Sequence, residues 1–329
     1  MTSITRKAAA GLLAAALLQL TAPAHAQDKY PSRPITVVVP AAAGGPTDTV
    51  ARLIAESMGR TLGQTAVVEN IGGAGGTVAM ARVAKAPADG YTLAVWHIAQ
   101  ATAPAMYDNM KYNVVEDFDT IGRITDVPMT VVSKTALQTK TITELLDWVR
   151  KNKDTATYGH AGVGSASHLC ALMLMKSLGV QLRGVSYRGT GPAMTDLLGG
   201  QFDIMCDQTT NTTNQIKDGK IKGYAVTTKT KVSSLPELPT LDQSGLKDFE
   251  VSAWHAMWAP KGLPADVSAK LVAALQVALK DPKVIERLAS LGTAPVSADL
   301  ATPQALKTQL VSEVAKWGAV IKAAGVKGN

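Results

Sequence analysis

Ile35-Thr36-Val37-Val38-Val39-Pro40-Ala41-Ala42-Ala43-Gly44-Gly45-Pro46-Thr47-Asp48 is the stretch on which the fold reading turns. Its β-branched, uncharged first half reads as a strand buried on both faces. A turn of small residues breaks the run, and Pro46, Thr47 and Asp48 then open a helical pattern carried by Val50, Leu53, Ile54 and Met58. A helix begun this way leaves backbone N–H groups unpaired in its first turn, with the positive end of its dipole behind them. Gly44 and Gly45 carry no Cβ, so a ligand can approach their backbone closely. The expectation is an anion site built mainly from amides.

Outward from that stretch the pattern recurs. Residues 66–69 read as a short strand, followed by the glycine-rich Asn70-Ile71-Gly72-Gly73-Ala74-Gly75-Gly76 and a helix over 78–84. Tyr91-Thr92-Leu93-Ala94-Val95 is a third buried strand ending at Trp96-His97. Strands and helices alternating over short connections describe a parallel α/β sheet, in which ligands bind beyond the carboxyl ends of the strands. A new series starts near Pro128, with a strand at 129–132, an amphipathic helix at 142–151 and a strand at 155–158. Gly159-His160-Ala161-Gly162-Val163-Gly164-Ser165-Ala166-Ser167-His168 then leads into a helix through Leu178, which repeats the opening device. Further strands are expected at 184–187, 202–206 and 224–227, a linker at Pro236-Glu237-Leu238-Pro239, a strand at 251–259 and helices from Pro264 onward. The chain is thus expected to begin one α/β domain (27–127 plus 250–329) and to insert a second (128–249). No short period recurs, which argues against a solenoid.

Residues 1–26 read as a signal peptide. Arg6 and Lys7 are its basic start, 8–20 an apolar run too short to span a bilayer comfortably, and Ala24-His25-Ala26 a small-x-small cleavage site. Cleavage after Ala26 would leave 303 of the 329 residues and lower the formal charge from +7 to +5. The remaining cations are scattered, with no basic stripe interleaved with aromatics, so a nucleic-acid partner is not expected. Cys170 and Cys206 are the two cysteines. In an exported chain an even pair favours a disulfide, with two buried free thiols as the alternative. Neither CxxC nor HxxxH occurs, so no metal site is expected.

The chemistry-bearing residues each carry two readings. Asp48 either caps the helix or adds charge in its first turn, or else it accepts a bond from a ligand ammonium or orders the loop. Ser165 and Ser167 stand where hydroxyls cap helices, and equally where they would touch a ligand. His168, in the first helical turn, is either a neutral donor to the cleft or a packing neighbour of Leu169. His97 and Trp96 end a strand and are better placed as ligand contacts than as core. Asp207-Gln208-Thr209-Thr210-Asn211 follows a buried strand and belongs to the cleft or to a helix cap. A hydrolase elbow needs G-x-S-x-G, whereas the run here is Val163-Gly164-Ser165-Ala166-Ser167. The glycine loops lack both the G-x-G-x-x-G and the GK[ST] spacing, so no nucleotide cofactor is expected. An exported α/β hydrolase or oxidoreductase is the rival to a binding protein.

With these motifs in view, the chain resembles the Bug receptors, the periplasmic solute-binding proteins of tripartite tricarboxylate transporters. The landmarks are Ala43-Gly44-Gly45-Pro46-Thr47-Asp48, Val68-Glu69-Asn70 with Gly73-Ala74-Gly75-Gly76, and Asp89-Gly90-Tyr91. Gly162-Val163-Gly164-Ser165 with His168, Tyr187-Arg188-Gly189 with Pro192, and Leu238-Pro239-Thr240 complete the set. The resemblance implies a two-domain α/β periplasmic binding protein, a Venus flytrap with its ligand cleft between the domains. It places a ligand carboxylate between Gly44, Gly45, Pro46, Thr47 and Asp48 on one side and Gly162, Gly164, Ser165, Ser167 and His168 on the other. His97, Asp207, Gln208 and Thr209 join them by likeness to the aspartate-binding branch, so aspartate or a similar small dicarboxylate is the expected ligand. The implied protein is a monomer without enzymatic activity, cofactor or metal, handing its ligand to integral-membrane permease subunits. Ala41 departs from the family, which often has an aromatic there, and Asn113-Val114 replaces a frequent Asp-Pro.

Overall fold

In the computed structural model, residues 30–328 are described; the expected signal peptide lies outside them. Strand β1 (Ile35–Val39) is next to the sheet edge, with β2 (Ala66–Asn70) and β3 (Thr92–His97) parallel on either side. Helix α1 (Pro46–Leu62) follows β1, with Pro46 at its first position, where a missing N–H costs nothing. Gly63, in the left-handed conformation, ends the helix by donating its N–H to the Gly59 carbonyl. A 3-10 turn (Ala74–Gly76) feeds α2 (Thr77–Ala84). After β3 comes α3 (Ala99–Met106).

Strand β4 (Phe118–Ser133) is 16 residues long and belongs to two sheets. Its first part pairs antiparallel with β9 (Ser252–Pro260), which in turn pairs antiparallel with β3. From Met129 onward it pairs antiparallel with β7 (Ile204–Gln208) and β8 (Lys222–Val226) instead. Pro128, the last residue paired with β9, sits where the partners change, a position at which a strand can spare an N–H. In the second sheet β5 (Thr157–His160) is parallel to both β7 and β6 (Arg183–Ser186). The strand order is β2-β1-β3-β9-β4-β7-β5-β6, with β8 branching from β4.

The first three strands are parallel, as expected from the strand–helix alternation, and the antiparallel pairings of β4, β8 and β9 make both sheets mixed. The long β4 was expected only over 129–132, and β5 lies two residues later than its expected place. The remaining helices are α4 (Ile142–Lys151), α5 (Ala166–Leu178), α6 (Thr190–Leu198), α7 (Thr209–Lys217), α8 (Ala265–Ala278), α9 (Pro282–Ser290) and α10 (Pro303–Ala324). One hydrophobic core runs from Val38 and Met80 through Met129 and Trp258 to Leu145 and Leu169. Cys170 on α5 and Cys206 on β7 form a disulfide inside it. Residues 33–328 cluster as one compact unit; 30–32 are grouped apart from it and hold a cis Tyr30–Pro31 bond. Among the described residues no helix is long and apolar enough to cross a membrane.

Candidate functional site

The carboxyl ends of six parallel strands, three from each sheet, open onto one cavity of about 470 Å³. The first sheet lines it with Pro40, Ala41, Gly45, Pro46 and Thr47 after β1, residues 72–76 after β2, and Trp96 and His97 at the end of β3. The second sheet contributes Ala161, Gly162, Val163, Ser165, Ala166 and Ser167 after β5, Ser186 to Thr190 after β6, and Gln208 at the end of β7. Tyr107, just past α3, completes the wall.

Five helices among the described residues present their amino ends here. These are α1 through Gly45 to Thr47, α2 through its cap Gly76, α5 through its cap Ser165, α6 through its cap Gly189, and α7 through its cap Gln208. Only α1 has an acid in its first turn, Asp48. First-turn N–H groups lack intrahelical acceptors, and each helix end adds partial positive charge. Arg188 is the one charged side chain among the lining residues. The arrangement suits an anion and offers no carboxylate to repel it.

Of the residues expected at the site, Gly45, Pro46, Thr47, His97, Gly162, Ser165, Ser167 and Gln208 line this cavity. Gly44, Asp48, Gly164, His168, Asp207 and Thr209 do not; each has a polar group held by a protein partner, and Asp207 Oδ1 alone of the Asp207 oxygens is buried with none among the described residues. The Gly44 N–H donates to Asp48 Oδ2 at 3.0 Å, and the Arg52 guanidinium reaches both Asp48 oxygens at 3.0 and 2.9 Å. Burial pushes the Asp48 carboxyl up, but bonds from Arg52, Gly44 and Asn70 together hold it below its ordinary value. Asp48 thus orders the loop. The Gly164 N–H donates to His168 Nδ1 at 3.2 Å, and the Gly164 carbonyl accepts from Thr102 at 3.0 Å. Burial, with the His160 ring tilted against it at 4.5 Å, lowers His168 to about 3, so it is a neutral acceptor. Asp207 is fully buried, which raises its carboxyl to about 7, and its Oδ2 accepts from Asn211 at 2.6 Å. The Thr209 hydroxyl donates to the Gly292 carbonyl at 3.1 Å.

Ser165 is the α5 cap: its hydroxyl accepts from the His168 N–H at 3.3 Å and donates to the Gly162 carbonyl at 2.6 Å. Ser167 accepts from the Ala161 N–H at 2.9 Å, which fixes the loop after β5. His97 Nδ1 accepts from the Ala99 N–H at 3.1 Å, and burial holds the ring well below its ordinary pKa. Gln208 Oε1 is buried with no partner among the described residues.

Two contact lines join the loops across the cavity. On one, Thr102 bonds the Gly164 carbonyl and Tyr107 the Val163 carbonyl, both at 3.0 Å. On the other, the loop after β6 lies against the loop after β1. A methyl placed on Gly191 would stand 3.1 Å from the Ala43 carbonyl, and one on Gly45 3.1 Å from Thr190 Oγ1. The loops after β2 and β6, with Tyr107, supply none of the residues named in advance for the site. Their glycines and the Tyr187-Arg188-Gly189 run were visible in the sequence as turns, but only the packing of the two sheets brings them here.

Residues 50–326 match the family profile described as tripartite tricarboxylate transporter family receptor, TctC. A UPF0065 protein of Agrobacterium vitis, from the TAR-I ttuE-ttuC' intergenic region, is 56% identical over 302 residues, covering 92% of this chain and 87% of the relative. Among solved structures, the periplasmic binding protein BugD superimposes with a TM-score of 0.88 at 51% identity, covering 91% of this chain and 99% of its own. MatC of Rhodopseudomonas palustris, solved with bound malate, gives 0.85 at 38% identity, covering 89% and 100%. The fold is that of the two-domain periplasmic binding proteins, and the chain belongs to the tripartite tricarboxylate transporter receptor family.

Proposed function

We propose that this protein is a periplasmic receptor that captures a small dicarboxylate of the aspartate or malate class and delivers it to the integral-membrane permease subunits of a tripartite transporter. The observation that carries the reading is the convergence of five helix amino ends on one cavity whose only charged lining side chain is Arg188. Backbone amides at these helix ends replace the hydration of the anion without covalent chemistry. Gly45, Pro46, Thr47, His97, Gly162, Ser165, Ser167 and Gln208 are the contact set; Gly44, Asp48, Gly164, His168, Asp207 and Thr209 position them. The hinge lies in β4 and β9, dividing 27–127 plus 250–329 from 128–249. A ligand touching both lobes favours the closed state through its differential affinity.

A receptor rather than an enzyme is supported by the engagement of Ser165 and His168, which are capped and buried instead of coupled as nucleophile and base. The Cys170–Cys206 disulfide accords with an oxidising compartment reached after cleavage at Ala26. The protein is taken to work as a monomer. Calorimetric titration with aspartate, malate, citrate and an aromatic monocarboxylate tests the reading. Micromolar or tighter binding of a dicarboxylate with one site per chain is expected, and no heat from any of the four would refute it.

A further inference from the structure

The contacts of Tyr107 extend past the loops of the cavity to the carboxyl-terminal segment of the chain. Tyr107 lines the cavity, and its hydroxyl donates to the Val163 carbonyl at 3.0 Å. The same phenol packs on Gly75: a methyl there would stand 2.6 Å from the hydroxyl and 3.2 Å from Cε2. Gly75 has no side chain, so the ring supplies the bulk at this end. From another side the backbone of Gly328 lies on the ring, where a methyl would stand 2.5 Å from Cε1. That segment is pinned beside Tyr107, because the Gly328 N–H donates to the Met106 carbonyl at 2.7 Å and Lys327 pairs with Asp108. The ring is held by the loop after β2, by the loop after β5 and by the backbone of Gly328.

We propose that Tyr107 is the end wall of the cavity and sets the length of the carboxylate the protein accepts, a specificity role that rests on the carboxylate-receptor reading above. Of two diacids anchored by one carboxylate at the same helix ends, the one with the longer chain meets this wall first. Cutting the ring back opens space where the longer chain would run.

The test is calorimetric titration of the wild type, Tyr107→Leu, Tyr107→Ala and Tyr107→Phe with malate and with adipate. In the Leu and Ala variants the adipate-to-malate affinity ratio is expected to rise about tenfold, the scale on which a pocket discriminates by a methylene or two. Tyr107→Phe keeps the wall and loses the bond to Val163, so both affinities should weaken a few-fold with the ratio unchanged. An unchanged ratio in the Leu variant overturns the inference, whether the two affinities fall together or stay put. Failure of the wild type to bind either diacid, or any other carboxylate offered, sinks the receptor reading itself and the inference with it. If the Ala variant does not fold, the Leu variant, which keeps apolar bulk against Gly75 and Gly328, decides the matter.

Discussion

Thr47 Oγ1 lies 3.0 Å from His255 Nε2, and this contact fixes what the Thr47 hydroxyl can offer a ligand. His255 Nδ1 is 3.0 Å from the Ala253 carbonyl, which can only accept, so Nδ1 carries the proton. Burial lowers the His255 pKa to about 4, so the ring is neutral and Nε2 is bare. The Thr47 proton therefore points to His255, and toward the cavity the oxygen acts as an acceptor.

An acceptor beside an anion site favours a ligand that brings a donor, such as the hydroxyl of malate or the ammonium of aspartate. Thr47→Val should weaken malate and aspartate binding by about 1 kcal/mol while leaving succinate, which has no such donor, nearly unchanged. Thr47→Ser should behave as wild type. Equal losses for malate and succinate in calorimetry would rule out this role.

Gly191, the second residue of α6, lies where the loops after β1 and β6 meet. A methyl on Gly191 would come within 3.1 Å of the Ala43 carbonyl, and because that neighbour is backbone it yields only slightly. Gly191→Ala is expected to leave the ligand-free melting temperature within a few degrees of wild type and to weaken malate binding by about 1 kcal/mol, on the scale of overpacking. A full-strength affinity in this variant would mean that the seam is not held shut during binding.

Stability should rise with pH between about 4.5 and 6.5. His97, His160, His168 and His255 all have pKa values lowered chiefly by burial, to about 3 for His168 and about 4 for His255. Their contribution is complete above the unfolded value near 6.5 and is lost as the pH falls, because the unfolded chain then binds the extra protons. Asp207, raised to about 7, works in the opposite sense: its contribution is complete below about 3.8 and is lost as the pH climbs toward 7. Four histidines outweigh one aspartate. His168→Asn, which keeps an acceptor for the Gly164 N–H, should flatten the slope, and Asp207→Asn should steepen it. Urea unfolding at several pH values measures all three, and a wild-type slope of the reverse sign would refute the balance.

The Cys170–Cys206 bond ties α5 to β7 across a sequence separation of 36. Replacing both cysteines by alanine should cost about 2–4 kcal/mol, through the loop entropy regained by the unfolded chain. Urea denaturation reads this as a lower midpoint with little change at the ligand site, since neither cysteine lines the cavity. A midpoint equal to that of the wild type would show the link to be energetically idle.

Much of this was legible along the chain. The β-branched run at 35–39 and Pro46 at the start of a helix are local signals that act within one turn of backbone, and they hold in the structure. The cysteine count raised a disulfide as one of two outcomes, and the 6.0 Å Cα separation decides it. Strand β4 was hidden because Asp119, Asp126 and Pro128 interrupt its pattern, and because its neighbours change partway along. Helix α3 was hidden for a related reason: Ala, Thr and Pro104 give it little amphipathic contrast, and burial against the core holds it instead.

By itself the sequence determined that glycine turns would end buried strands and open helices, since strand, turn and cap are chosen by residues a few positions apart. Which amides remain free for a ligand was decided only by the tertiary structure. The N–H groups of Gly44 and Gly164 are taken by Asp48 and His168, while the turns after β2 and β6 are carried into the wall by the packing of two sheets. A backbone donor goes to whatever acceptor stands within about 3 Å of it, and that distance is set by the whole fold.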